Sequence, residues 1–138
     1  MGYFGRTALQ AAIDEGQFEI MDQLLVQGAD VNAPAAEDAG ITALQAAAIH
    51  GYLGIAVRLV ELGADVNAAA ARNEGRTALE GASEHGRIDM VQFLLNAGAD
   101  VQSPEFGEEQ YRRAVGFARE NGFPAVARVL ERHRSTLG

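Results

Sequence analysis

The six-residue phrase TALQAA occupies residues 7–12 and returns at residues 42–47, and a near-copy, TALEGA, stands at residues 77–82. Successive copies are 35 residues apart, and self-similarity at a fixed period of about 20 to 50 residues marks stacked repeat units. A unit of that size cannot bury an apolar face by itself, so the chain is expected to fold as one array stabilised between neighbours.

Three segments align without a gap: GRTALQAAIDEG (Gly5–Gly16), GITALQAAAIHG (Gly40–Gly51) and GRTALEGASEHG (Gly75–Gly86). In each, a threonine precedes an alanine-rich run and has Gln10, Gln45 or Glu80 three places later. That spacing predicts a capping box, in which the threonine hydroxyl accepts from the N3 amide and the Gln or Glu side chain accepts from the threonine's own amide. Each cap is worth about 1 kcal/mol. Leu9, Leu44 and Leu79, with Ala12, Ala47 and Ala82, then form a slim face that lets helices lie close together. Gly16, Gly51 and Gly86 end the run at a position that favours the left-handed conformation.

The second half of each unit carries larger apolar residues at helical spacing: Phe18, Met21 and Leu25, then Leu53, Ala56 and Val60, then Ile88, Val91 and Leu95. Ile20 with Leu24, Ile55 with Leu59 and Met90 with Leu94 widen that face. GADV follows each second helix, at Gly28–Val31, Gly63–Val66 and Gly98–Val101. Its aspartate favours a turn closed by backbone hydrogen bonds. A slim inner helix paired with a thicker outer one is a wedge, and stacked wedges make a curved solenoid.

Composition removes several alternatives. With no cysteine there is no disulfide, thiolate nucleophile or cysteine zinc site. All eleven Lys and Arg residues are arginine, so no P-loop lysine or Schiff-base amine exists. A net charge of −8 argues against nucleic acid as partner, because binding it requires a basic surface. No apolar run approaches the roughly 18 residues of a membrane span, and the start of the chain lacks a secretory pattern. The expectation is a cytoplasmic, or at least intracellular, protein with no membrane association.

The combination T-x-L-x-x-A, a glycine four residues later, an apolar helix and then GADVNA resembles the ankyrin repeat over nearly the whole chain. The resemblance implies an all-α solenoid of stacked helix-turn-helix units joined by extended finger loops. TALQ and TALE stand where that family usually has T-P-L-H, and the period is 35 where about 33 is usual. The extra length falls between Asn32 and Gly40 and between Asn67 and Gly75, so longer fingers are expected there. Units are expected at about residues 5–39, 40–74 and 75–110, with a degenerate C-terminal capping unit at about 111–134. In that last unit Arg113 replaces the capping threonine and Arg119 falls where earlier units have Ile13, Ala48 and Ser83. Charge at stacking positions suits a terminal repeat. The first unit shows no such adaptation, since Leu9, Ile13, Phe18, Met21 and Leu25 read as interior residues. Its outer side is expected to meet upstream repeats, the favoured reading, or to self-associate.

The same resemblance implies a non-catalytic module that grips a protein partner with its fingers and the exposed positions of the inner helices. Residue by residue, these positions are Arg6, Ile41, Arg76 and Arg112 before the threonine position. Before the glycine they are Asp14 with Glu15, Ile49 with His50, Glu84 with His85, and Glu120 with Asn121. They vary between units while the frame does not. No cofactor, metal or catalytic residue is expected. The opposing hypothesis is a metal-dependent or hydrolytic enzyme using the row Glu15, His50, Glu84 and His85. It is disfavoured because packed helices stand about 8–10 Å apart, whereas zinc ligands converge within about 2.1 Å of one ion. His50 and His85 are expected to offset the dipole at inner-helix C-termini. Asp30, Asp65 and Asp100 are expected to serve turns, Glu37, Asp38, Glu108 and Glu109 to be loop charge, and Phe18, Phe93 and Phe117 to be core.

Overall fold

The computed structural model describes residues 6–37 and 40–138; Gly5 and Asp38, named above, lie outside them. The described residues form helices α1 (Ala8–Asp14), α2 (Phe18–Val26), α3 (Ala43–His50), α4 (Leu53–Glu61), α5 (Ala78–Glu84), α6 (Ile88–Asn96), α7 (Phe106–Glu120) and α8 (Pro124–Thr136). Each odd-numbered helix packs on its own even-numbered partner and on the next odd-numbered helix along the chain. The outer helices α2, α4 and α6 make only marginal contact with one another, while α6 and α8 pack together. A stack that is tighter along one row than the other bends, so the inner helices line the inside of the curve.

The three inner-helix starts follow from local chemistry. Thr7, Thr42 and Thr77 each accept from the N3 amide at 3.1 Å. Gln10, Gln45 and Glu80 return the bond to the threonine amide at 2.9, 3.0 and 3.1 Å. The two glutamines do more than cap. Gln10 Nε2 donates to the carbonyls of Ala33 and Pro34, and Gln45 Nε2 to those of Ala68 and Ala69, tying each inner helix to the finger that follows it. Gly16, Gly51 and Gly86 all have φ between 69° and 76°, the left-handed turn their positions predict.

The GADV turns also form as expected. Asp30, Asp65 and Asp100 Oδ1 accept from the amides of Asn32, Asn67 and Gln102. The asparagines then join units. Asn32 Nδ2 donates to Gly63 O while its Oδ1 accepts from Asp65 N, and Asn67 does the same with Gly98 and Asp100. Each turn is thus clasped to the next by two hydrogen bonds from one side chain.

Packing bears out the slim inner face: Ala46, Ala47, Ala48 and Ala82 are fully buried beside Leu44 and Leu79. On the outer helices the buried stripe is Met21, Ala56 and Val91 with Leu59 and Leu94. Phe18, Leu53 and Ile88, read from sequence as part of that stripe, are instead 37–40% exposed. They open their helices at the hairpin tip, and there Phe18 meets the Tyr52 ring of the next unit edge-on at 5.1 Å. Exposure also changes along the stack. At one repeat position Ile20 is 46% exposed, Ile55 half-buried and Met90 2% exposed. In the first unit Leu9, Ile13 and Met21 are covered, and Phe18, Ile20 and Val26 stand open.

The fourth hairpin departs from the others at its start. α7 has 15 residues against seven or eight in the earlier inner helices, and its first two turns stand where a third finger would. Ser103 organises this entry: its hydroxyl donates to Asp100 Oδ2 and accepts from Gly107 N, and its carbonyl accepts from Glu108 N. A Cβ on Gly107 would come within 2.4 Å of Asp100 Oδ1, so only glycine lets α7 sit this close to the turn. Glu108 and Glu109 are therefore helical, not loop, residues. Across the terminal face Arg119 pairs with Glu131 and Arg134 with Glu108.

Candidate functional site

Every one of the twelve inner-helix positions singled out from the repeat is partly or fully exposed, whereas the leucines of the frame between them are buried. Many of these exposed side chains engage one another. Arg6 lies along α1 and donates to Asp14 Oδ2 at 2.9 Å and Glu15 Oε2 at 3.0 Å. Arg76 does the same along α5, reaching Glu84 Oε1 at 2.9 Å. The position before the threonine and the position before the glycine are thus the two ends of one intra-unit ion pair. Partly exposed pairs of this kind contribute about 0–1 kcal/mol each.

The second unit has Ile41 and Ile49 in place of such a pair, and His50 reaches back to the first unit, with Nε2 at 2.9 Å from Asp14 Oδ1. Its ring stacks on Tyr52, centroids 5.2 Å apart. His50 is therefore a link between units more than a helix cap. His85 keeps to its own helix, with Nδ1 3.0 Å from Gly81 O, which fits the helix-dipole role. In the fourth unit Asn121 Nδ2 donates to Phe117 O, while Arg112 and Glu120 are exposed and make no ion pair among the described residues.

The row Glu15, His50, Glu84 and His85 is not assembled into one site. Each member is held by a different partner: Arg6, Asp14, Arg76 and the Gly81 carbonyl. Among the described residues no three His, Asp or Glu side chains gather closely enough to hold a metal ion.

A feature the repeat pattern does not display lies between the second finger and α7. A groove of about 560 Å³ runs between Ala69–Glu74 on one side and Glu105, Phe106 and Glu109 on the other, with Glu80, Gln110 and Arg113 among its lining residues. Arg113, aligned by the repeat with the capping threonines, lies midway along α7 and caps nothing, since the helix starts after Glu105; its Nε donates to Glu80 Oε2 at 3.1 Å and neutralises the one capping side chain that is an acid. Phe117, expected in the core, is half-buried and receives two guanidinium groups, Arg76 at 4.3 Å and Arg113 at 5.1 Å from its ring centre. The signal that could have exposed this arrangement was present after Val101: Ser103-Pro104 followed by Glu108 and Glu109 is a helix-start pattern. The GADV turn before it predicts a finger instead.

Comparison with known families finds the same repeat in the sequence. A model described as ankyrin repeats in three copies matches residues 33–105, and a single ankyrin repeat model matches residues 4–36. No curated protein matches the chain.

Proposed function

We propose that this chain, which belongs to the ankyrin repeat family, is a non-catalytic module that binds a protein partner along the exposed edge of its inner helices and its fingers. Ankyrin repeats are in general protein–protein interaction units, and a solenoid has no obligatory pocket, so the choice of surface must rest on side chains that the frame does not need. One observation carries it. At the same places in successive units the residue changes, from Arg6 to Ile41 to Arg76 and from Glu15 to His50 to His85, while the threonine, leucine, alanine and glycine between them stay fixed. These changing positions are partly or fully exposed in every unit, as a partner-reading surface requires, whereas the changes at buried positions, such as Ile13 to Ala48 to Ser83 and Ala46 to Gly81, lie out of a partner's reach.

The strip offers charge in fixed places. Arg76 is held by Glu84 and Arg6 by Asp14, which orders two long side chains before any partner arrives and reduces the entropy lost on binding. The test replaces Arg76, Glu84 and His85 together with alanine and compares wild type and variant as baits in an extract of the native cell. Loss of a captured protein with unchanged thermal melting supports this surface. Equal capture by both baits overturns it.

A further inference from the structure

The groove between the second finger and α7 carries a charge imbalance that selects its occupant. Its three arginines are already matched: Arg72 lies 3.5 Å from Glu37, Arg76 is held by Glu84, and Arg113 by Glu80. Three carboxylates on its rim, Glu74, Glu105 and Glu109, are exposed and have no hydrogen-bond or ion-pair partner among the described residues. The unneutralised charge of the groove is therefore negative, on a chain whose net charge is −8.

The floor repeats the message in uncharged form. Gln110 is 1% exposed; its Nε2 donates to Asp100 O at 2.8 Å and to Asn67 Oδ1 at 3.3 Å, but its Oε1 has no donor. A buried acceptor without a donor is rare in native structures and calls for an explanation. Guanidinium and ammonium groups supply surplus donors and no acceptors, which is what both the floor and the rim lack. Among the lining residues Phe106 is 37% exposed, an apolar surface against which the methylene stem of such a side chain can pack.

The backbone adds a third observation. Glu74 and Glu105 are the only non-glycine residues with positive φ among the described residues, at 60° and 72°, and both lie on this groove. Glu105 is the centre of a tight γ-turn closed by Phe106 N donating to Pro104 O at 3.0 Å, a conformation that glycine adopts at less cost. Carboxylates are thus kept at two places where the backbone itself favours glycine.

We propose that this groove receives a basic segment of the protein partner, an extended peptide whose arginine or lysine side chain enters among Glu74, Glu105 and Glu109. The inference rests on the binding-module reading above and narrows it to a partner chemistry. A groove of this volume lies within the range of small-ligand pockets, room for one or two side chains. Charge complementarity sets specificity and association rate.

The test uses a phage-displayed library of random dodecapeptides selected on the 138-residue chain and counter-selected on the isosteric variant Glu74→Gln/Glu105→Gln/Glu109→Gln. All three sites are exposed, so the variant is expected to fold, and its melting curve checks this. The expected result is a strong excess of arginine and lysine among selected peptides, with affinity for a synthesised winner at least tenfold weaker on the variant. Amide shifts on adding that peptide should cluster at residues 69–77 and 105–113. Winners without basic enrichment, equal affinity for both chains, or shifts spread over every acidic stretch would each overturn the proposal. Failure here leaves the capture result with Arg76, Glu84 and His85 untouched, so the two readings fall separately.

Discussion

Arg113 Nε lies 3.1 Å from Glu80 Oε2, joining the middle of the fourth inner helix to the cap of the third. The Glu80 side chain is 5% exposed and that of Arg113 is 36% exposed, so one partner is almost wholly out of water while the other keeps part of its hydration. In the first two units the same position is glutamine, whose amide donates to finger carbonyls. The third unit has no such finger after it, and a carboxylate facing an arginine takes over. This accounts for one of the two letters by which TALEGA departs from TALQAA.

Removing the arginine strands a buried carboxylate. Arg113→Leu should destabilise the chain by about 1–3 kcal/mol, toward the lower end because Arg113 is partly hydrated. Adding Glu80→Gln should recover part of the loss, since the neutral amide still caps Thr77. Urea denaturation at neutral pH of the wild type, both single variants and the double variant gives the coupling between the two sites.

The second altered letter is Gly81. A Cβ built there would lie 2.5 Å from Ile49 Cγ1 on the neighbouring inner helix. Glycine inside an exposed helix costs about 1 kcal/mol relative to alanine, so Gly81→Ala would stabilise if space allowed. Here overpacking, typically about 1–3 kcal/mol, should win and the variant should melt lower. In an Ile49→Ala background the sign should reverse, and a double-mutant cycle from thermal melts measures this.

Two more glycines should respond in opposite directions to the same substitution. At Gly75 a Cβ would meet the Ala71 backbone nitrogen at 2.3 Å, and backbone cannot step aside, so Gly75→Ala should cost about 3 kcal/mol. At Gly54, in α4, nothing lies within 4 Å, and Gly54→Ala should gain about 0.5–1 kcal/mol. Melting temperatures of the two variants, measured side by side, decide the matter.

Hydrogen bonds from the Ser103 hydroxyl, then from the Ser103 and Gln102 amides, hold the Asp100 carboxyl below its ordinary pKa near 3.8. A depressed folded-state value means the unfolded chain binds the proton more readily. The stabilisation is therefore complete above the ordinary value and is lost as pH falls through the folded one. NMR titration of Asp100 should give a value that Ser103→Ala moves back upward. The stability difference between that variant and wild type should shrink as the pH drops toward the same point.

Local chemistry decided much of this fold before any packing. A capping box spans four residues, as does a GADV turn, and a left-handed glycine acts at its own position, so residues such as Thr42, Gln45, Gly51 and Asp65 could be assigned from sequence alone. The repeat period then supplied the stacking order, because each unit offers its neighbour the same apolar face. What spans two units was hidden. Neither the Asn32 clasp on Gly63 and Asp65, nor the His50 link to Asp14, nor the collision that keeps Gly81 small follows from spacing along the chain, since each depends on how far one hairpin stands from the next. Phe18 and Phe117 misled for the same reason: apolar character predicts burial only where a neighbour arrives to cover it, and arginines cover Phe117 while Phe18 stands largely open. Likewise the carboxylates of Glu74, Glu105 and Glu109 come together only when α7 extends into the place of a finger, an event set by how Gly107 and Ser103 fit against Asp100 in three dimensions.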